Sequence, residues 1–203
     1  MHMGIRDLPP EIERPFETLV RKAGGERAAL EVLQGLSTEM GMDLQVGLTG
    51  LAPDHVLAAI ALIRNGASAE SVSSTLTWQE FEGFCAGVLK ACGYLVKTNI
   101  VLTKPRRQLD IFAESQTLAL SVDCKHWGKS FSGSVLEQVA ASQIERTELY
   151  KRKKKLKIPV LPVILTLLSV PVKDVIGVPV VPIFALRDFA VSVSRFDEGL
   201  VII

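Results

Sequence analysis

The sequence contains few of the residues that build disulfide frameworks. Among its 203 residues only three are cysteines, and no two of them form a Cys-x-x-Cys pair. An odd number of thiols without that spacing favours reduced cysteines, as in a cytosolic protein. No N-terminal secretion signal is recognisable, which also leads us to expect a cytoplasmic location.

Long uninterrupted hydrophobic runs are also missing. The apolar run from Ile158 to Val172 contains three prolines and is too short to span a bilayer. The tripeptide Gly128-Lys129-Ser130 resembles the end of a phosphate-binding P-loop, but Asp123 stands where that loop requires its first glycine. The P-loop interpretation is therefore excluded.

The net charge of the chain is close to zero, but positive charge is concentrated in one segment. The net charge is +1, whereas residues 104–157 carry 12 basic and 6 acidic groups, a net +6. Residues 1–103 carry 8 basic and 12 acidic groups, a net −4. This asymmetry is typical of a phosphate-binding face, although the lysine run 151–157 could equally be a solvated helix end.

The hydrophobic fraction of 48% predicts a sizeable core, and the length suits either one domain with an appendage or two small domains. Residues 1–72 show helical periodicity, which predicts an N-terminal helical domain. Its last part overlaps the segment Ala58–Phe84, which resembles a helix-turn-helix. That segment could read DNA bases, or it could serve packing or dimerisation. The remainder, 73–203, forms the second predicted domain.

A helix with clear ends opens the second domain. Thr77 and Glu80 have the spacing of a capping box, and Gly93 suits the position just after the helix. Capping accounts for Glu80 but not for Glu82, which lies beside Phe81. We expect Glu82 to point toward a neighbouring sheet edge, with plain solvent exposure as the alternative.

The stretch 108–127 reads as a β-hairpin. Alternation places Asp123 and Lys125 on one face of the second strand and Cys124 on the other. A two-residue loop, Ser115-Gln116, would pair Asp110 with Ser121 and leave Asp110 diagonal to Asp123. A loop one residue longer would turn Asp110 to the other face, so the register is an assumption.

Two carboxylates and a lysine on one face require an explanation, since like charges that close repel. A divalent cation would remove the repulsion, and hard oxygen ligands suit Mg²⁺ or Mn²⁺. A lysine beside the metal could orient a water or stabilise charge on phosphate. The alternative is an ordinary surface hairpin whose Asp–Lys pair contributes little.

The segments after the hairpin predict an α/β domain. A helix follows from Ser134, and the apolar runs 160–168 and 178–185 are typical of strands buried on both faces. A short helix is predicted over 186–193. Prolines in the apolar runs favour strand starts or edges. We therefore expect a mixed central sheet flanked by helices.

The order of these pieces resembles the PD-(D/E)xK nuclease superfamily, and most closely its Mrr-type restriction endonuclease-like proteins. The resemblance covers about residues 76–190. It is carried by four short motifs, which are Trp78-x-x-Phe81-Glu82, Leu89-x-x-x-Gly93-Tyr94, Leu109-Asp110-Ile111 and Asp123-Cys124-Lys125-His126-Trp127. Asp123 departs from the pattern, because Glu is commoner there in the superfamily and Gln is common in the Mrr group.

The resemblance implies a restriction-endonuclease-like fold and a Mg²⁺- or Mn²⁺-dependent endonuclease that hydrolyses DNA. In that interpretation Asp110 and Asp123 bind the metal directly, with the Cys124 carbonyl as a further ligand. Glu82 supports the metal or its water, and Lys125 orients the attacking water.

Candidate phosphate contacts are three basic residues around the hairpin: Arg106, Arg107 and Lys129. DNA is the expected partner, RNA is not excluded, and a homodimer is possible. Two alternatives stay open: a protein of the same fold that binds nucleic acid without cleaving it, and a structure-selective nuclease of the junction-resolvase type.

Overall fold

The structure is a computed structural model of the 203-residue chain. It describes residues 20–25, 27–29, 31–32, 34–35, 58, 61–62, 77–125, 133–194 and 197–203. The chain divides into two units, Met1–Glu80 and Phe81–Ile203. The predicted boundary at residues 72 and 73 lies outside the described residues, as does most of the helix-turn-helix-like segment.

The second unit, with the start of its first helix, contains six strands, three α-helices and a 3₁₀ turn among the described residues. In chain order these are α1 (Trp78–Ala91), β1 (Leu95–Leu102), β2 (Arg107–Glu114), β3 (Ala119–Lys125), α2 (Gly133–Lys154), β4 (Val160–Thr166), β5 (Asp174–Val175), β6 (Val178–Pro182), the 3₁₀ turn (Ile183–Ala185) and α3 (Leu186–Ser192).

The strands form one mixed sheet in the order β1-β2-β3-β4-β6-β5. The first three strands are antiparallel neighbours, whereas β3, β4 and β6 run parallel, and β5 pairs antiparallel with β6 at the far edge. The predicted mixed α/β sheet flanked by helices is confirmed. Among the described residues, none of the helices combines the length and apolar character needed to cross a membrane.

Helix α1 begins and ends as the sequence predicts. Thr77 N–H donates to Glu80 Oε2 at 2.9 Å, and Glu80 N–H donates to Thr77 Oγ1 at 3.2 Å. At the other end Gly93 N–H donates to the Lys90 carbonyl, and the next amide, that of Tyr94, donates to the Leu89 carbonyl. These are the two hydrogen bonds of a Schellman motif, which requires the positive φ of Gly93.

Helix α2 connects two parallel neighbours, β3 and β4, and such a connection needs a crossover segment long enough to cover the sheet. Its inward residues recur at helical spacing, and the buried ones are Leu136, Ala140, Gln143, Thr147, Leu149 and Tyr150. The Tyr150 ring lies 4.7 Å from that of Phe112 in β2, centroid to centroid. The helix therefore packs over β4 and over the neighbouring strands of the hairpin.

All seven residues of β4 are buried, as a central parallel strand requires. Pro162 lies inside this strand, contrary to the expectation that the prolines would mark starts or edges. The pairing of β4 with β6 begins only at Ile164, so the missing N–H of Pro162 interrupts no bond of that ladder. The short helix predicted over 186–193 is confirmed as α3.

Some lysines at the basic C-terminal end of α2 hold other parts of the fold in place. Lys153 Nζ donates to the carbonyls of Thr103 and Lys104 in the turn between β1 and β2. Lys151 Nζ donates to the carbonyl of Ile203, whose backbone also pairs with Val160 at the start of β4. These two lysines tie separate segments to the helix, which leaves fewer of the run 151–157 for contacts with phosphate.

The turn between β5 and β6 depends on Gly177. Its φ is +79°, and a Cβ placed there would lie 2.7 Å from Val201 Cγ2 and 2.8 Å from the Gly199 carbonyl oxygen. We expect Gly177→Ala to destabilise the fold by about 3 kcal/mol through backbone strain and overlap. Gly93→Ala is the matched control, because Gly93 has φ +89° but no atom within 4 Å of such a Cβ.

The control should cost only about 1 kcal/mol, the penalty for the backbone conformation alone. Denaturant unfolding of both variants measures the difference. Equal losses in the two variants would show that the packing of Val201 against Gly177 is not tight.

Candidate active site

The β2–β3 hairpin has a different register from the expected one. Phe112, not Asp110, lies opposite Ser121. The loop spans four residues, Ser115–Leu118, and Ser115 closes it by donating from Oγ to the Leu118 carbonyl at 2.7 Å. A shift of two residues preserves the face of each side chain. One further step of the observed pairing therefore places Asp110 beside Asp123.

Asp123 is the buried centre of the site. Its Oδ2 lies 2.7 Å from Lys125 Nζ, and its Oδ1 lies 2.9 Å from Arg146 Nη2. The Asp123 side chain is 3% exposed, whereas those of Lys125 and Arg146 are 23% and 19% exposed. Two cations thus neutralise a carboxylate that burial alone would disfavour. The alternation of β3 explains why Asp123 and Lys125 meet.

Arg146 is the residue that sequence reasoning missed. It lies on α2 three residues after Gln143, whose Nε2 donates to the Ser121 carbonyl at 2.7 Å. Ser121 and Asp123 are two apart on β3, so a pair on one helix face meets a pair on one strand face. Once α2 is recognised as the crossover after β3, the three-residue spacing of Gln143 and Arg146 is the signal that could have identified Arg146. Whether Arg146 in fact meets Asp123 depends on the register of α2 on the sheet.

Asp110 is held from the neighbouring strand. Its Oδ2 accepts a hydrogen bond from the Cys124 N–H at 2.8 Å. Burial raises the pKa of Asp110, the hydrogen bond opposes that effect, and the charge of Asp123 raises the pKa further. Asp110 is therefore a partly buried carboxylate close enough to Asp123 for mutual repulsion.

Cys124 lies on the opposite face of β3 from Asp123. Its thiol forms a hydrogen bond with Cys85 of α1, whereas Asp123 contacts α2. That contact and, after it, burial raise the pKa of the Cys124 thiol well above its ordinary value, so the thiol stays protonated. Within a strand the N–H and C=O of one residue point to the same neighbouring strand. The Cys124 carbonyl accordingly faces β2, the strand that carries Asp110.

Glu82 reaches the site from α1 and is not solvent-exposed. Only 9% of the residue is accessible. Burial raises the pKa of Glu82 to about 7, with further contributions from the charges of Asp110 and Asp123, and Lys125 lowers it. The alternative that Glu82 is simply exposed to solvent is therefore wrong. The structure brings all four predicted site side chains within electrostatic range, and their catalytic roles stay predictions.

A cleft of about 480 Å³ opens beside Asp123, between the hairpin and α2. Its basic lining residues are Arg107, Lys125 and Arg146. Arg107 also contacts Glu145 across the cleft, with Nη2 3.5 Å from Oε1. Arg106 is exposed but does not line this cleft, and Lys129 lies outside the described residues.

The acidic groups offer oxygen ligands of the kind that Mg²⁺ prefers. Within the described part of the chain, no three acid, histidine or cysteine side chains form a group that could hold a metal. Mg²⁺ usually takes only one or two carboxylates together with water. Burial and, to a smaller extent, repulsion between carboxylates raise the pKa values of Glu82 and Asp110, and a nearby cation would offset the repulsion. Asp123 fits less directly, because both its oxygens already contact cations.

The chain was also compared with known proteins. No protein-family model matches it, and no curated protein matches it significantly.

Proposed function

We propose that this protein is a divalent-metal-dependent endonuclease of the restriction-endonuclease-like fold that hydrolyses phosphodiester bonds of DNA in the cytoplasm. The observation that carries the proposal is the buried contact of Asp123 with Lys125, on the strand beside Asp110. A surface Asp–Lys pair has no reason to be buried or to share its region with two further carboxylates, Glu82 and Asp110.

Each of these residues has a role that follows from its position. Lys125, partly exposed toward the cleft, orients the attacking water and stabilises the charge that develops on the scissile phosphate. Asp123 holds the Lys125 ammonium in that place. Arg146 supplies a second positive group at the same side of the phosphate, and Glu82 is the carboxyl best suited to exchange a proton near neutral pH.

Mg²⁺ or Mn²⁺ would be held by Asp110, Asp123 and the Cys124 carbonyl, with Glu82 nearby, and would polarise the phosphate and lower the pKa of a bound water. For Asp123 to contribute, it must offer a further lone pair or exchange one of its two cations. A carboxylate has about four acceptor positions, so Lys125 and Arg146 do not exhaust it.

A second function is favoured by the same contacts. If Arg146 and Lys125 permanently neutralise Asp123, the chain would bind nucleic acid without cleaving it. A buried carboxylate with two cation partners is stable without metal, so this arrangement suits a binding or assembly protein. The alternative of a junction-resolving nuclease uses the proposed chemistry on a branched substrate.

The test is direct. Purified protein is incubated with Mg²⁺ or Mn²⁺ on linear, supercoiled, single-stranded and branched DNA, and on RNA, with EDTA as the control. Metal-dependent nicking or cutting of closed circular DNA supports an endonuclease. Binding without cleavage of any substrate supports the second function, and a preference for branched DNA indicates the resolvase type.

The basic lining of the cleft leads to a prediction about salt. Arg107→Ala should weaken binding of all sequences about equally and reduce the slope of log affinity against log salt by about one, since one phosphate contact is lost. Arg106→Ala should have a smaller effect, because Arg106 lies outside the cleft lining. Arg187→Ala, on the exposed side of α3, is the matched control. Fluorescence anisotropy at several salt concentrations measures all three.

Equal slopes for Arg107→Ala and Arg187→Ala would contradict a phosphate contact in the cleft.

A separate assay addresses the N-terminal region, whose net charge is negative. Tight, sequence-selective binding by residues 1–70 alone would move DNA recognition to that region.

A further inference from the structure

The cleft between α2 and the hairpin has the composition of a site for a nucleic-acid strand. The hairpin contributes Arg107 and Lys125 to its lining, and α2 contributes Arg146, the acidic Glu145 and the apolar Val135 and Val139. Val135 is 38% exposed, so an apolar surface is accessible beside the three cations. Basic groups suit phosphates, and apolar side chains suit sugars and base faces.

The size of the cleft restricts its occupant. About 480 Å³ lies within the range of small-ligand sites, large enough for a nucleotide unit but too small to enclose a duplex. A duplex could only rest across the opening, whereas one strand could enter.

Arg146 lines this cleft and is oriented by the protein before any ligand arrives. Its Nε donates to the Ser142 carbonyl at 3.2 Å, and its Nη2 contacts Asp123 Oδ1 at 2.9 Å. A guanidinium has five N–H groups in a planar fork, so these two contacts leave donors for a phosphate. The side chain has little rotational freedom left to lose on binding.

We propose that this cleft binds the phosphodiester backbone of a single nucleic-acid strand and that Arg146, held by Asp123, is its main phosphate anchor. Arg107 joins the same strand once it leaves its long, exposed contact with Glu145. This inference extends the proposed function by specifying the binding site of the strand, and it does not require that the strand be cut.

The test measures binding in EDTA, where no metal-dependent hydrolysis occurs. The probe is a short fluorescein-labelled single-stranded DNA, titrated by anisotropy. Arg146→Gln should weaken binding about tenfold and reduce the salt slope by about 0.7, the value for one phosphate contact on a single strand. Arg152→Gln removes the same charge from an exposed position of α2 outside the cleft and should change affinity much less.

Because Arg146→Gln also removes a partner of Asp123, a second pair of variants leaves that contact intact. Gln138→Glu places one negative charge in the cleft at almost constant shape, and Ala141→Glu adds the same charge on an exposed part of α2 outside it. Gln138→Glu should weaken binding about tenfold and Ala141→Glu only slightly. Equal affinities for these two variants would overturn the proposal.

The outcomes separate this inference from the proposed function. Binding that depends on Arg146 and Gln138, without hydrolysis when Mg²⁺ or Mn²⁺ is added, supports the cleft and rejects the nuclease. Metal-dependent cleavage with unchanged strand binding by Gln138→Glu supports the nuclease and rejects the cleft. Loss of duplex binding with unchanged single-strand binding in Gln138→Glu also rejects it.

Discussion

Lys125→Ala should reduce DNA cleavage at least about a thousandfold while weakening DNA binding far less. The reason is that the Lys125 ammonium contacts Asp123 at 2.7 Å and is the basic group of β3 that lines the cleft. Removing a preorganised donor that acts on transition-state charge costs about 10²–10³ in rate, and the water also loses its orienting group. Asp123 keeps Arg146 as a partner, so the fold should tolerate the change.

Asp123→Asn should abolish cleavage as well, but it also affects stability. The two cations that contact Asp123 lose their carboxylate, and each is only partly exposed. We expect a loss of about 1–3 kcal/mol, because partners of a buried charge are left uncompensated. Lys125→Ala is therefore the cleaner of the two variants.

Single-turnover cleavage with Mg²⁺ measures the rate, anisotropy with Ca²⁺ measures binding, and thermal unfolding reports the fold. Ca²⁺ should support binding but inhibit cleavage, since it takes longer and looser oxygen coordination than Mg²⁺. Lys97→Ala, an exposed lysine of β1, is the control. Cleavage that survives both EDTA and Lys125→Ala would mean that a different group is the catalyst.

Glu82→Gln should stabilise the protein at pH 8 and have little effect at pH 4.5. Burial, followed by the charges of Asp110 and Asp123, raises the pKa of Glu82 from 4.5 to about 7. Below pH 4.5 the Glu82 carboxyl is protonated in both the folded and the unfolded chain, so its burial does not lower the free energy of unfolding. Between pH 4.5 and about 7 the Glu82 carboxyl ionises in the unfolded chain but stays largely protonated in the folded one, so the free energy of unfolding falls. Above pH 7 the carboxyl is ionised in both states, and the loss stays constant.

Glutamine carries no charge at any of these pH values, so the variant avoids the loss. The shift in pKa corresponds to about 3 kcal/mol of unfolding free energy between pH 4.5 and pH 8. Urea unfolding of both proteins at the two pH values measures it. Glu137→Gln, an exposed carboxylate of α2, controls for the removal of a negative charge in general.

The effect of added metal on stability gives a second, independent test of Glu82. A cation near Glu82 and Asp110 offsets their repulsion, so Mn²⁺ at pH 8 should stabilise the natural protein more than Glu82→Gln. An equal gain for both proteins would argue against Glu82 as part of a metal site. A Glu82→Gln variant that loses stability at pH 8 would contradict a buried, repelled carboxylate.

The features that follow from local sequence could be predicted without the structure. The capping box of Thr77 and Glu80 and the glycine stop at Gly93 depend on residues three to five apart, and both are found as expected. The alternation of β3 likewise fixed that Asp123 and Lys125 share a face, because neighbouring strand residues always point to opposite sides.

The pairing of β2 with β3 was not determined in this way. Its register depends on whether the loop closes after two residues or four, and the Ser115 hydrogen bonds to Leu118 decide for four. Asp110 stayed on the expected face only because the error was an even number of residues.

Local sequence therefore specifies most elements of this part of the chain, though not β1 or β5, and the face of each side chain within a strand. The packing of the elements decides that Arg146 contacts Asp123, that Glu82 is buried and that Lys125 and Arg146 line a cleft. These contacts join residues far apart in the chain, and they depend on how α1 and α2 pack against opposite sides of one sheet. Periodicity indicates which side of a helix is apolar, but packing decides which charged residue at its border meets which carboxylate.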